Sequence, residues 1–170
     1  MKKLVSFLLI ICIVPAFAFA DGFGMTIPEF IRSYNNYSFD KQIEDISNGK
    51  VFGSGDTQYI RLKADEGVEI FLRYSENVDS ELSGIIIMQK ESSTDFEKLI
   101  AVATSATYVL SNNADIDISS AYYQHYQAVC ETISYYGYCG KSAPVSAKGY
   151  TVEYQIDNGT RQIYIAPTDH

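Results

Sequence analysis

Histidine and serine are the residue types in this sequence that could support general-base or nucleophilic catalysis near neutral pH. The chain has two histidines, His125 and the C-terminal His170. His125 lies between tyrosines in a predicted helix, where a lone histidine is typically a surface or hydrogen-bonded residue. No activated nucleophile is recognisable beside it, and the Gly-x-Ser-x-Gly motif of serine hydrolases is absent. The sequence therefore predicts no catalytic residue.

Three alternating polar residues follow the spacing of a calcium-binding loop. Asn113, Asp115 and Asp117 fit the pattern, but Ile118 occupies the glycine position and Gln124 replaces the closing glutamate. No group of histidines and cysteines offers a zinc site either. We therefore expect a solvated turn before a helix, with no metal and no cofactor.

A glycine-rich segment, Gly53-Ser54-Gly55-Asp56, has the composition of a phosphate-binding loop. It lacks the Gly-Lys-Ser/Thr ending, and no helix pattern follows it, so a phosphate would meet neither a lysine nor a helix N-terminus. The segment predicts a connection between strands.

Tyrosine is the unusual feature of the sequence. Six tyrosines fall within the seventeen residues from Tyr122 to Tyr138. Helical spacing predicts that Tyr122 and Tyr126 face the core. The others cannot all share that face, and they form the candidate binding set: Tyr123, Tyr135, Tyr136 and Tyr138. Exposed tyrosines suit binding surfaces because they offer apolar area with a hydrogen-bonding tip. A tyrosine-rich core boundary is the alternative.

The first twenty residues have the pattern of a cleavable signal peptide. Lys2 and Lys3 precede an apolar run from Leu4 to Phe19, and Ala18-Phe19-Ala20 ends it with small residues at the cleavage positions. Sixteen residues are short for a membrane span, which needs about 20. We therefore expect cleavage after Ala20 and export of a single domain, residues 21–170, to a periplasm or the medium.

The charge of the chain limits its partners. It carries 13 basic and 21 acidic side chains, and removing Lys2 and Lys3 leaves 11 against 21, a net charge of −10. Such a surface repels nucleic acids and anionic lipids. It suits a basic protein partner, so we expect no nucleic acid and no membrane contact after cleavage. The oligomeric state stays open.

Two cysteines follow the signal peptide, Cys130 and Cys139. In an oxidising compartment an isolated pair indicates a disulfide. A predicted helix stop at Gly137 would let Cys139 turn back toward Cys130. The sequence therefore predicts a disulfide at the end of the third helix.

The helices and strands that must position these residues can be predicted from capping residues and apolar spacing. Capping boxes at Thr26-Ile27-Pro28-Glu29 and Thr94-Asp95-Phe96-Glu97 predict helices at about 27–37 and 95–110. A third helix follows and ends at Gly137. Apolar alternation predicts strands near residues 50–53, 60–64, 68–74 and 84–89.

The C-terminal segment predicts a hairpin around Asn158-Gly159. A two-residue turn pairs Ile156 with Arg161, Tyr154 with Ile163, and Val152 with Ile165. The order of elements predicts one α+β domain, with an antiparallel sheet, a meander plus this hairpin, and about three helices packed on one face.

These observations favour an exported, non-catalytic binding module of the inhibitor, immunity or envelope-accessory type. The alternative is a small secreted hydrolase that uses carboxylates or an unrecognised site, because sequence spacing does not reveal which carboxylates meet in space.

Overall fold

The computed structural model describes residues 22–38, 42–54, 57–75, 79–111, 118–147 and 149–168. The predicted signal peptide, the calcium-like segment from Asn113 to Asp117 and His170 lie outside these residues. Among the described residues, no helix is both long enough and apolar enough to cross a membrane.

Three helices and seven strands make up the described fold. The helices are α1 (Ile27–Tyr37), α2 (Phe96–Leu110) and α3 (Ile118–Cys139), and a short 3-10 turn spans Ile46–Asn48. The strands are β1 (Lys50–Ser54), β2 (Thr57–Asp65), β3 (Val68–Tyr74), β4 (Gly84–Lys90), β5 (Val145–Ala147), β6 (Tyr150–Asp157) and β7 (Thr160–Pro167).

The strands form one sheet in the order β1-β2-β3-β4-β7-β6-β5, and every neighbouring pair is antiparallel. The predicted single α+β domain is thereby confirmed. The sequence pattern does not predict strand β5 or the 3-10 turn, since elements of three residues are too short to show a period.

The start of α1 follows its sequence signature. The Glu29 amide donates to Thr26 Oγ1 at 3.4 Å, and the Thr26 amide donates to Glu29 Oε2 at 2.8 Å. The preceding segment is hydrogen-bonded beside β4, because Phe23 N–H donates to Leu82 O and Leu82 N–H donates to Met25 O. The first capping box is therefore confirmed.

The second predicted capping box does not form. Helix α2 begins at Phe96, so Asp95 rather than Thr94 is the N-cap residue, and its side chain makes no cap hydrogen bond. The Asp95 carboxylate instead lies 3.1 Å from Lys98 Nζ. The prediction of a second box is wrong because the helix begins one residue later than expected, which places Thr94 before the N-cap position.

Helix α3 is longer than predicted. Gly137 does not stop it, and the helix ends at Cys139, followed by Gly140 at φ +62°. The Gly140 N–H donates to Tyr136 O at 2.8 Å, which is the bond of an αL helix end. Gly140, not Gly137, therefore supplies the left-handed residue that ends the helix.

This extension separates the two cysteines. Cys130 and Cys139 lie nine residues apart in one helix, about 13.5 Å along its axis at 1.5 Å per residue. Bridged cysteines have Cα atoms closer than about 7 Å. Both thiols are free, and the predicted disulfide is absent from this structure.

The C-terminal hairpin has the predicted register. Ile156 pairs with Arg161, Tyr154 with Ile163, and Val152 with Ile165. Asn158 and Gly159 take positive φ values of 47° and 72°, as a type I′ turn requires.

The sheet has two different faces. One packs with the helices around a large core that includes Phe30, Leu72, Leu99 and Ile163. The opposite side, which we call the helix-free face, carries an apolar cluster formed by strand residues alone among those described. Its members are Phe52, Tyr59, Phe71, Ile86, Met88 and Tyr164.

Candidate functional site

The buried side of helix α3 is not the one that its tyrosines predicted. The buried residues are Ala121, His125, Ala128, Val129 and Thr132. Tyr122 and Tyr126, expected in the core, are 38% and 43% exposed. The prediction is wrong because the true core stripe consists mostly of small or polar residues, which a hydrophobic pattern passes over.

The displaced tyrosines form an exposed aromatic surface with Tyr37 of α1. We call Tyr37, Tyr122, Tyr123 and Tyr126 the tyrosine ridge. Tyr108 of α2 lies between two of its members, with its ring centroid 5.5 Å from that of Tyr37 and 6.2 Å from that of Tyr122. The ridge therefore rests on side chains from all three helices.

Tyr123 and Tyr126 form a pair of neighbouring rings within the ridge. Their rings are stacked, with centroids 6.5 Å apart and planes inclined by 24°. Tyr123 is 59% exposed. A hydrogen bond with Cys130 and the negative charge of Glu97 raise the pKa of Tyr126. Its hydroxyl therefore stays protonated across the neutral pH range.

The structure divides the tyrosines that the sequence singled out for binding. Tyr123 lies on the ridge, whereas Tyr136 packs edge-on against Tyr154 with ring centroids 5.2 Å apart. Tyr135 and Tyr138 are exposed near the C-terminal end of α3. Tyr138 lies about 18 Å beyond Tyr126 along the helix axis, at 1.5 Å per residue. These two tyrosines are therefore separate from the ridge.

Sequence reasoning missed three members of the ridge. It assigns Tyr122 and Tyr126 to the core, and it gives Tyr37 no role. Tyr37 lies three residues after the buried Tyr34, a spacing that places both on the same side of a helix and predicts burial. The sequence therefore carries no local signal for the exposure of Tyr37.

His125 occupies a buried hydrogen-bonded position beneath the ridge. Its Nε2 lies 3.0 Å from Ser111 Oγ, and its Nδ1 contacts the Tyr150 hydroxyl. Burial lowers the pKa of His125 to about 4 and raises that of Tyr150 to about 12. The imidazole is therefore neutral at pH 7.

The direction of these hydrogen bonds can be assigned from the network. Ser111 Oγ–H donates to the Tyr108 carbonyl at 2.9 Å, so the serine oxygen accepts from His125 Nε2–H. The other nitrogen then accepts from the Tyr150 hydroxyl. A catalytic base must instead accept the serine proton. Because Ser111 and His125 are also buried, the trio has the arrangement of a structural network.

Metal ligands do not converge in the described part of the chain, where no group of three or more histidine, cysteine or acidic residues could hold an ion. The glycine-rich segment with the composition of a phosphate-binding loop is described only in part. Gly53 and Ser54 belong to strand β1, and Gly55 and Asp56 lie outside the described residues.

Comparison with protein-family models finds no matching family. Comparisons with curated proteins and with solved structures find no match either.

Proposed function

We propose that this chain is an exported, non-catalytic binding module that contacts a protein partner through the tyrosine ridge. The observation that carries the proposal is the exposed, stacked pair of Tyr123 and Tyr126. On the same helix, Tyr122 packs against Tyr108 of α2. An exposed aromatic pair presents apolar area and hydroxyl groups with little loss of rotamer entropy on binding.

The charge of the chain favours a basic partner. The exported form would carry a net charge of −10, and the acidic Glu97 lies near Tyr126. A negative surface accelerates the approach of a positive partner and repels other acidic proteins. We therefore propose a partner with a basic surface surrounding an apolar centre.

Export is the second part of the proposal, and its support is the sequence of the first twenty residues. The free thiols mean that the fold does not depend on oxidation. Protein sequencing of the exported form should begin at Asp21. An unprocessed chain in the cytosol would refute export without touching the binding proposal.

A photo-crosslinking residue at position 123 tests the ridge directly. The variant Tyr123→benzoylphenylalanine is produced in the native host and irradiated in intact cells and in the culture medium. We expect a defined crosslinked protein, and unmodified exported chain should compete with it. A competitor carrying Tyr123→Ala and Tyr126→Ala should compete at least about tenfold less well, as for loss of a binding hot spot.

Two controls keep this experiment specific. The crosslinker at Tyr138, which is 94% exposed but lies away from the ridge, should not capture the same protein. A competitor carrying Tyr135→Ala and Tyr138→Ala should act like the unmodified chain. Equal capture from positions 123 and 138, or equal competition by both double variants, would refute the ridge as the binding site.

One observation favours the alternative, a hydrolase: Ser111 Oγ lies 3.0 Å from His125 Nε2. The burial of both residues and the direction of their hydrogen bonds favour the binding module.

A further inference from the structure

The junction of helices α1 and α2 contains a buried hydroxyl group that lacks a direct partner. The Tyr34 side chain is 0% exposed, and its ring lies beside that of Phe30, with centroids 6.0 Å apart. The Tyr34 hydroxyl makes no hydrogen bond to any residue in the part of the chain that the structure describes. Burying a hydroxyl without a hydrogen bond destabilises the folded state, so this group needs a partner.

Two serine hydroxyls face that of Tyr34. Ser38 is the C-cap residue of α1, and Ser105 lies within α2. Both side chains are nearly buried, at 8% and 9% exposure. Burial raises the pKa of Tyr34, whereas the nearby hydroxyls of Ser38 and Ser105 lower it. The three hydroxyls are therefore neighbours, although neither serine is placed for a direct hydrogen bond with Tyr34.

Neighbouring hydroxyls that do not contact each other directly have the chemistry of a water site. Polar groups slightly beyond hydrogen-bond distance are often bridged by a water molecule, and a buried water makes about three hydrogen bonds to such groups. Each hydroxyl can donate or accept a hydrogen bond, so three of them can satisfy one water. All three are uncharged at pH 7, which favours a neutral molecule over an ion.

We infer that one water molecule binds between α1 and α2, where it bridges the hydroxyls of Tyr34, Ser38 and Ser105. The site lies beside one contact of the tyrosine ridge, that of Tyr37 with Tyr108, whose ring centroids are 5.5 Å apart. Ser38 directly follows Tyr37, and Ser105 lies one helical turn before Tyr108. The water would therefore join the two helical segments that carry this ring pair.

Magnetic relaxation dispersion of oxygen-17 water is the primary test, because it counts the water molecules that stay in a protein for longer than its tumbling time. We expect Tyr34→Phe, which removes the hydroxyl and keeps the ring, to lose one long-lived water. Tyr150→Phe is the matched control, since Tyr150 is also 0% exposed but its hydroxyl contacts His125 Nδ1. The control should not lower the number of long-lived waters.

Urea unfolding of Tyr34→Phe gives a second, independent measurement. If a water bridges the hydroxyl, its removal should raise the equilibrium constant for unfolding about fivefold, because a satisfied hydrogen bond is lost. If the hydroxyl had no partner of any kind, phenylalanine would leave this constant unchanged or lower it. The direction of the change therefore distinguishes a bridged hydroxyl from an unsatisfied one.

A double-mutant cycle shows whether Tyr34 and Ser105 share the water. The effect of Ser105→Ala on the equilibrium constant for unfolding should differ at least about threefold between the wild type and Tyr34→Phe. The comparison cancels the higher helix propensity of alanine, which is the same in both backgrounds. Ser134→Ala is the control, because Ser134 is an exposed serine on α3, and its effect should simply add to that of Tyr34→Phe.

Any of three results would overturn the water site: an unchanged number of long-lived waters in Tyr34→Phe, an unfolding constant that stays the same or falls in this variant, or additive effects of Tyr34→Phe and Ser105→Ala. None of these measurements involves a partner protein. The water site and the binding function of the ridge can therefore fail separately.

Discussion

His125 donates a hydrogen bond to Ser111, whose own proton is used by the Tyr108 carbonyl. The contact joins the C-terminal end of α2 to α3, and the Tyr150 hydroxyl on the other ring nitrogen extends it to the sheet. One neutral imidazole thus connects three elements of the fold. Its main contribution is to stability, and this contribution depends on pH.

Acid should destabilise the protein through His125. Its pKa is about 4 in the folded state against 6.5 in an unfolded chain. The unfolded state therefore binds more protons between these values, and the free energy of unfolding falls as the pH drops from about 7 to 4. The loss from this residue is about 3 kcal/mol. Urea unfolding of the wild type and His125→Gln measures it: the glutamine variant should be less stable at pH 7 and should lose less between pH 7 and 4. Parallel losses in the two proteins would contradict the assignment.

Removing the cysteines should leave stability almost unchanged. Cys130 and Cys139 are free thiols in one helix, so the double variant Cys130→Ser, Cys139→Ser should shift the free energy of unfolding by less than about 1 kcal/mol. Loss of a native disulfide would cost about 2–5 kcal/mol. Thermal unfolding without reductant distinguishes the two, and alkylation with mass spectrometry should find both thiols reactive after unfolding.

Two glycines near the end of α3 should respond oppositely to alanine. A Cβ added at either glycine would meet no atom within 4 Å, so backbone conformation alone decides the outcome. Gly140 has a φ of +62°, and Gly140→Ala should destabilise the protein by about 1 kcal/mol. Gly137 lies within the helix, and Gly137→Ala should stabilise it by about 0.5–1 kcal/mol. Chemical denaturation measures both changes. If Gly137→Ala destabilised the protein and Gly140→Ala stabilised it, the helix would end at Gly137.

The contribution of the α1 capping box to the free energy of unfolding can be measured by chemical denaturation as well. Thr26→Ala removes the hydroxyl that accepts from the Glu29 amide and should cost about 1 kcal/mol. Thr94→Ala is the matched control, because Thr94 lies outside the first turn of α2 and should cost less than about 0.5 kcal/mol. Equal losses of stability in the two variants would indicate that Thr94 does cap helix α2.

The elements that could be predicted are those whose signals are local. Asn158-Gly159 determines both the turn and its register, since few residues tolerate two successive positive φ values. The Thr26 box likewise lies within one helical turn. Its counterpart at Thr94 does not form because helix α2 begins at Phe96, so that Thr94 precedes the N-cap residue Asp95.

The site depends on relations that span the chain, and it could be predicted only in part. The sequence identifies Tyr123 as exposed but not Tyr126, because the core stripe of α3 uses His125 and Thr132 instead of apolar residues. The same limit applies to β4, which is buried on both faces of the sheet. Its run of isoleucines shows that two layers cover it, without showing what the second layer is.

The placement of all three helices on one side of the sheet has a consequence for how many partners one chain can hold. Tyr37 on α1 and Tyr122, Tyr123 and Tyr126 on α3 lie on helices that share this side. One chain therefore offers a single aromatic binding surface, and avidity would appear only if the chain were displayed in several copies toward a partner that is itself multimeric.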